Sequence, residues 1–145
     1  MSDDGPEACF VDTNVLVYAV ADDDPRRSAT AQSLIRSLRS AGSLRTSTQV
    51  LQELYVTLTR KVQRRLTSEQ ALEYLDEIAV SPVTGIDYEL VRTAAMLSSA
   101  HTLSLWDSLM VVAAARSGAK RLYTEDLQHG RKILGLEIVN PFRVN

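Results

Sequence analysis

Apolar residues recur along this chain in two alternating signatures, short continuous runs and longer stretches of helical spacing. Ala8 to Val11 is an apolar run ending at Asp12, the pattern of a buried strand feeding a helix, and Val15, Leu16, Tyr18 and Ala19 continue as that helix. Asp24-Pro25 predicts an N-cap followed by proline at the first helical position. The helix it opens runs to about Ala41, stops at Gly42 and carries Leu34, Ile35 and Leu38 on one face. After a weak strand over Ser43 to Thr46, the residues Val50, Leu51, Leu54, Tyr55 and Leu58 return to helical spacing. Thr67 with Gln70 has the form of a capping box, opening a helix with Ala71, Leu72, Leu75 and Ile78 as its apolar positions.

A short strand over Ser81 to Thr84 precedes a helix from Asp87 to about His101. Ser104 opens another helix, apolar almost all round through Ala115, and such a helix must be buried. Gly118 closes it, Arg121 to Thr124 forms a brief strand, and Glu137 to Val139 forms the last one before Asn140-Pro141. Strands alternating with helices imply an α/β fold with a mainly parallel sheet covered on both faces.

Length and composition narrow the class. At 145 residues, 45% hydrophobic and 23% charged, the chain reads as one globular domain over 1–145, with residues 1–7 as a flexible N-terminal extension. The longest apolar stretch, Leu109 to Ala115, is too short to cross a bilayer, and Met1-Ser2-Asp3-Asp4 lacks the positive region of a secretory signal, so no membrane partner and a cytoplasmic location are expected. The lone Cys9 excludes an internal disulfide, and two histidines leave little from which to make a zinc site. Any metal must therefore be held by oxygen. The formal charge of -2 argues against nucleic acid, but Arg60, Lys61, Arg64 and Arg65 form one basic run, and Lys120, Arg121, Arg131 and Lys132 form another set. Both sets read slightly better as a solvated helix end and loop than as a dedicated binding patch.

Four carboxylates stand where one pocket can gather them. Ligands of open α/β sheets bind beyond the carboxyl ends of the strands, and Asp12 and Asp126 each follow an apolar strand. Asp107 lies in the first turn of the buried helix, and Glu53 projects beside an apolar stripe. Each acid also has a plain structural explanation. Asp12 suits the N-cap of the first helix, and Asp107 stands three residues after Ser104, as in a capping box. Glu53 suits a solvated helix face, and Asp126 suits a turn. The functional case rests on the set, since no member carries it alone.

Four segments sharpen that case. Phe10-Val11-Asp12-Thr13-Asn14-Val15-Leu16, Gln52-Glu53-Leu54, Leu105-Trp106-Asp107-Ser108 and Leu122-Tyr123-Thr124-Glu125-Asp126-Leu127 resemble, in order and surroundings, the acidic motifs of the PIN-domain family, most closely its VapC-like toxins. The resemblance runs from Phe10 to about Phe142. It implies a three-layer α/β/α sandwich and an endoribonuclease dependent on Mg2+, with Mn2+ able to substitute. It further implies RNA as substrate, a cognate antitoxin as partner and a homodimeric state.

Carried over by position, Asp12, Glu53, Asp107 and Asp126 match the family's acidic metal site and Thr124 its common hydroxyl position. Asp12 and Asp107 would hold the metal directly, and Asp126 directly or through water. Glu53 would orient the attacking water or act as base, and Thr124 would hydrogen-bond a metal water or phosphate. Some members carry a further acid two residues beyond the last, where this chain has Gln128.

Hydrolysis of a phosphodiester needs an acidified water and stabilised phosphoryl and leaving oxygens, which hard divalent cations held by carboxylates supply. Two other classes stay open. One is an α/β phosphohydrolase or phosphotransfer domain using Asp12 as nucleophile, although Asn14 stands where the haloacid-dehalogenase version has its second acid. The other is a catalytically silent RNA-binding module. His129 reads as structural, Trp106 as core rather than a base-stacking platform, and Tyr18 and Tyr55 as buried helix-face residues.

Overall fold

A computed structural model describes residues 7–143, so the expected N-terminal extension lies outside the described residues apart from Glu7. Strand β1, Cys9–Val11, is buried along its whole length, which places cover on both of its faces. Asp12 caps helix α1, Thr13–Val20. Helix α2, Pro25–Ser40, starts as the Asp24-Pro25 pair dictates: the Asp24 side chain accepts from the Arg27 N–H, and proline sits in the first turn, where no N–H is needed. Gly42 then turns the chain at φ +70°, a conformation that glycine adopts without Cβ strain.

Strand β2 spans Leu44–Ser47, one residue later than the apolar pattern suggests, because Ser47 ends the strand and caps helix α3, Thr48–Arg60, accepting from Val50 N. Helix α4, Ser68–Ile78, has both halves of the capping box, Gln70 N to Thr67 Oγ1 at 3.1 Å and Thr67 N to Gln70 Oε1 at 2.9 Å. Strand β3, Val83–Thr84, leads to α5, Tyr88–His101, capped by Asp87. Helix α6, Leu105–Arg116, is capped by Ser104 and buried without interruption from Ser108 to Ala114, as its all-round apolar sequence requires. Strand β4 is Arg121–Tyr123, β5 is Lys132–Ile133 and β6 is Leu136–Val139.

The six strands lie in the order β3-β2-β1-β4-β6-β5. All pairs are parallel except β5 with β6, a hairpin that the apolar pattern does not announce. Its two connecting residues, Leu134 and Gly135, both have positive φ, the tight-turn geometry usually signalled by Asn-Gly, and a leucine at the first position hides it. Helix α1 packs on α2 and α3, α3 on α4, and α5 on α6, while α6 also runs against β2, β3 and β6. Phe10, Leu16, Leu54, Leu122 and Ile138 are among the side chains fully removed from water, each contributing about 1.5–3 kcal/mol.

This order fixes the position of the crevice. From β1 the chain steps outward to β2 and β3, then returns to β4 on the other side of β1, so the connections diverge at the carboxyl ends of β1 and β4. Asp12 N donates to Tyr123 O at 2.9 Å and locks those two ends together.

Candidate active site

The acids expected to converge do so at this point. Asp12, Glu53, Asp107 and Asp126 line a single cleft of about 90 Å3, together with Thr13, Asn14, Gln49 and Trp106. Their oxygens do not form a finished cage: among the described residues no three His, Cys, Asp or Glu side chains are grouped tightly enough to hold an ion as they stand. A larger cavity of about 520 Å3 lies elsewhere, lined by residues such as Val20, Ile35, Arg36, Arg39 and Tyr74, and contains none of these acids. The chemistry marks the smaller cleft.

Asp12 is the organising residue. Only 7% exposed, it accepts from Thr13 N through Oδ1 at 2.6 Å and from the Thr124 hydroxyl through Oδ2 at 2.7 Å. Burial disfavours its charge and pushes its pKa up to about 7; the adjacent Asp126 carboxylate raises it further, against the opposing pull of Thr124 and Thr13. Thr124, fully buried just after β4, also accepts from Asp126 N at 3.1 Å. One hydroxyl therefore connects the first acid to the loop that carries the last.

The plain structural readings coexist with convergence. Asp12 does cap α1, yet its carboxylate also lines the cleft. Asp107 N donates to Ser104 Oγ at 3.0 Å, but the reciprocal bond from Ser104 N to the Asp107 carboxylate is absent among the described residues, so this carboxylate is not tied up in a capping box. Glu53 is exposed as a solvated glutamate would be, but it is anchored at the cleft by Gln49 Nε2 at 3.0 Å and, more loosely, by the Thr13 hydroxyl at 3.4 Å. Asp126 is exposed in its turn.

The readings of Trp106, Tyr18 and Tyr55 need correction. Trp106 is 67% exposed and stands at the rim of the cleft, because α6 enters the core only from Ser108 onward. Tyr18 and Tyr55 are half-buried, their hydroxyls held near the surface by Glu125 at 2.6 Å and Ser68 at 2.9 Å. Of the second basic set, Arg121 and Lys132 lie at the opposite end of the sheet from the acids, where Arg121 pairs with Glu137 and Glu7. From the first basic run, Lys61 borders the groove beside Glu53. His129 is structural as expected, its Nδ1 accepting from Asn140 N at 3.0 Å.

Other participants were not singled out by the sequence. Gln49 stands one helical turn before Glu53, a spacing that was available as a signal. Glu125, between Thr124 and Asp126, had none. Its carboxylate receives the Tyr18 hydroxyl and Arg27 Nε at 3.0 Å, and the Arg27 guanidinium lies over the Tyr18 and Phe142 rings. This clamp fastens the 124–126 segment to α1 and α2.

The fold and the acid-lined cleft at the divergence of β1 and β4 agree with the resemblance carried by the sequence motifs. The PIN domain family model matches residues 9–132, and the chain belongs to that family. Ribonuclease VapC23 of Mycobacterium tuberculosis, known from two strains, is 34% identical over 119 residues, covering 81% of this chain and 91% of that protein. Among solved structures, the M. tuberculosis toxin VapC20, described as cleaving the sarcin-ricin loop, superposes with a TM-score of 0.65 at 22% identity, over 82% of this chain and 90% of that one. VapBC2 from Rickettsia felis, solved with a DNA fragment from its promoter, gives a TM-score of 0.64 at 18% identity, over 90% and 96%. These two likenesses speak to the fold. No helix among the described residues is long and apolar enough to cross a membrane.

Proposed function

We propose that this chain is an endoribonuclease that hydrolyses RNA phosphodiester bonds with magnesium, manganese being able to substitute, and that it is the toxin of a toxin–antitoxin pair. The observation that carries the reading is the single cleft at the ends of β1 and β4 into which Asp12, Glu53, Asp107 and Asp126 are brought from four elements. The identity to ribonuclease VapC23 supports the reaction, and the VapC-like character of the chain supports the antitoxin partner. Exposed Tyr88, Val91 and Met96 along α5 support a homodimer.

The donor set fits a hard divalent cation. It is all carboxylate, and the pressure on the Asp12 charge from burial and Asp126 is of the kind a cation relieves. Asp12 and Asp107 would hold the ion, with Asp126 directly or through water. Such an ion lowers the pKa of a bound water and neutralises charge on the phosphoryl oxygens.

The remaining work belongs to the protein. Thr13 N and the Thr124 hydroxyl fix the rotamer of Asp12, so its oxygens need no reorganisation when charge develops. Glu53, steadied by Gln49, would orient the attacking water or act as its base. Thr124 holds Asp126 in register with Asp12.

The second carboxylate that crowds Asp12 disfavours it as a covalent phosphate acceptor. The test is a cleavage assay on mixed unstructured RNAs with magnesium, with manganese and with a chelator, beside Asp12→Asn. Cleavage that needs metal and falls at least about 100-fold in the variant supports the reading. Chelator-resistant cleavage, undiminished cleavage by the variant, or no cleavage with either metal overturns it.

A further inference from the structure

The acid cleft does not end at the acids. Glu53 and Trp106 also border a wider groove of about 470 Å3, whose other walls are Gln52, Val56 and Thr57 on α3 and Lys61 just past its end. We infer that this groove is a subsite for one unpaired nucleotide of the RNA beside the bond to be cut, with the base stacked on Trp106 and a neighbouring phosphate on Lys61. The inference rests on the ribonuclease reading and deepens it.

Four observations carry it. Trp106 is 67% exposed and stands next in sequence to Asp107, so a large aromatic face is offered to solvent at the mouth of the acid cleft. Its backbone is held in the first turn of α6, whose N-cap Ser104 is in place, and its carbonyl accepts from Gln49 Nε2 at 3.4 Å, so the ring is offered from a fixed stem. Val56, 41% exposed, supplies a second apolar surface in the same groove, while the Gln52 amide and Thr57 hydroxyl add polar groups suited to a base edge.

Lys61 is exposed and makes no ion pair among the described residues, unlike Arg64, which is committed to Asp22. It is thus a cation available to a phosphate, in a groove continuous with a cleft built for phosphodiester chemistry. A groove of this volume is of small-ligand size, and a base reaches an aromatic face only when it is unpaired. An unpaired cation in a groove that shares Glu53 and Trp106 with the acid cleft favours single-stranded RNA over a protein segment as occupant.

Trp106 is the sole tryptophan of the chain and reports its own occupancy. Short unstructured RNA is titrated into the Asp12→Asn protein with magnesium present, following tryptophan emission and, in parallel, the anisotropy of a dye-labelled copy of the same RNA. Emission should be quenched along the same binding curve as the anisotropy, and the equivalent RNA duplex should quench weakly. Trp106→Ala should weaken RNA binding and raise KM by roughly 5- to 150-fold with kcat little changed, while Trp106→Phe keeps most of the affinity. Lys61→Ala should lower the salt dependence of binding by about one phosphate contact.

Saturated anisotropy with unchanged emission overturns the subsite, as does an unchanged KM in Trp106→Ala. So does a Trp106→Ala protein that loses self-association while binding RNA normally, which would make the ring part of a protein interface. If wild-type protein binds RNA with quenching but cleaves none with either metal, the subsite stands and the ribonuclease reading fails. If cleavage depends on Asp12 while Trp106 is silent, the reverse holds.

Discussion

The Thr124 hydroxyl donates to Asp12 Oδ2 at 2.7 Å, across 112 positions of sequence, and its oxygen accepts from the Asp126 N–H at 3.1 Å. This fully buried side chain joins the first acid of the cleft to the last. Thr124→Val keeps the volume and removes both bonds. It should weaken manganese binding and kcat/KM by about 10- to 100-fold, the usual loss when a ligand's supporting partner is removed, and Thr124→Ser should restore most of both. Calorimetric titration of manganese and steady-state cleavage check it.

The strain on Asp12 has a stability consequence. Its ordinary pKa is 3.8, and burial with the Asp126 charge lifts it to about 7 in the folded protein. Between those values the folded chain binds more protons than the unfolded chain, so this group's contribution to stability is complete below about pH 4 and lost as pH rises through about 7. With metal chelated, Asp12→Asn should melt above wild type at pH 8 by at least about 1.4 kcal/mol, the worth of one pKa unit, or roughly 4 °C. The gap should close near pH 4. Thermal unfolding with a chelator, followed from pH 4 to 8, decides this, and a variant less stable than wild type at pH 8 contradicts it.

The clamp on Glu125 positions the same loop from outside. Burial and the Glu125 carboxylate push the Tyr18 pKa up to about 12, so the hydroxyl remains a donor at neutral pH. Tyr18→Phe leaves Arg27 on Glu125 but removes the 2.6 Å bond, and is expected to lower kcat about 10-fold with KM nearly unchanged, because small displacements of reacting groups are costly. An equal rise in KM would assign Tyr18 to RNA binding instead.

Much of this was legible in local chemistry. Asp12, Asp24, Thr67 and Ser104 announce helix starts because capping acts within three or four residues, and all four cap as the sequence suggests. The acids at Asp12 and Asp126 could be placed because each follows an apolar strand. Trp106 was misread for a physical reason: a helix that is apolar nearly all round has no polar phase by which to tell its exposed first turn from the buried turns after it. Glu125 and the β5 hairpin escaped because one depends on partners 98 and 107 positions away and the other on two-residue pairing around Leu134-Gly135.

A control separates fold from site. Thr67→Ala breaks the capping box of α4, which does not border the acid cleft, and should cost about 1 kcal/mol of stability in denaturant titration. Its cleavage activity below the melting temperature should match wild type.

The most direct test is anomalous diffraction from crystals soaked in manganese. The account predicts a peak in the cleft within about 2–2.5 Å of an Asp12 oxygen, with at least one of Asp107, Asp126 or Glu53 in its coordination shell directly or through water, and no such peak in Asp12→Asn. A cleft without a peak at saturating manganese, or an ion bound away from Asp12, would contradict it.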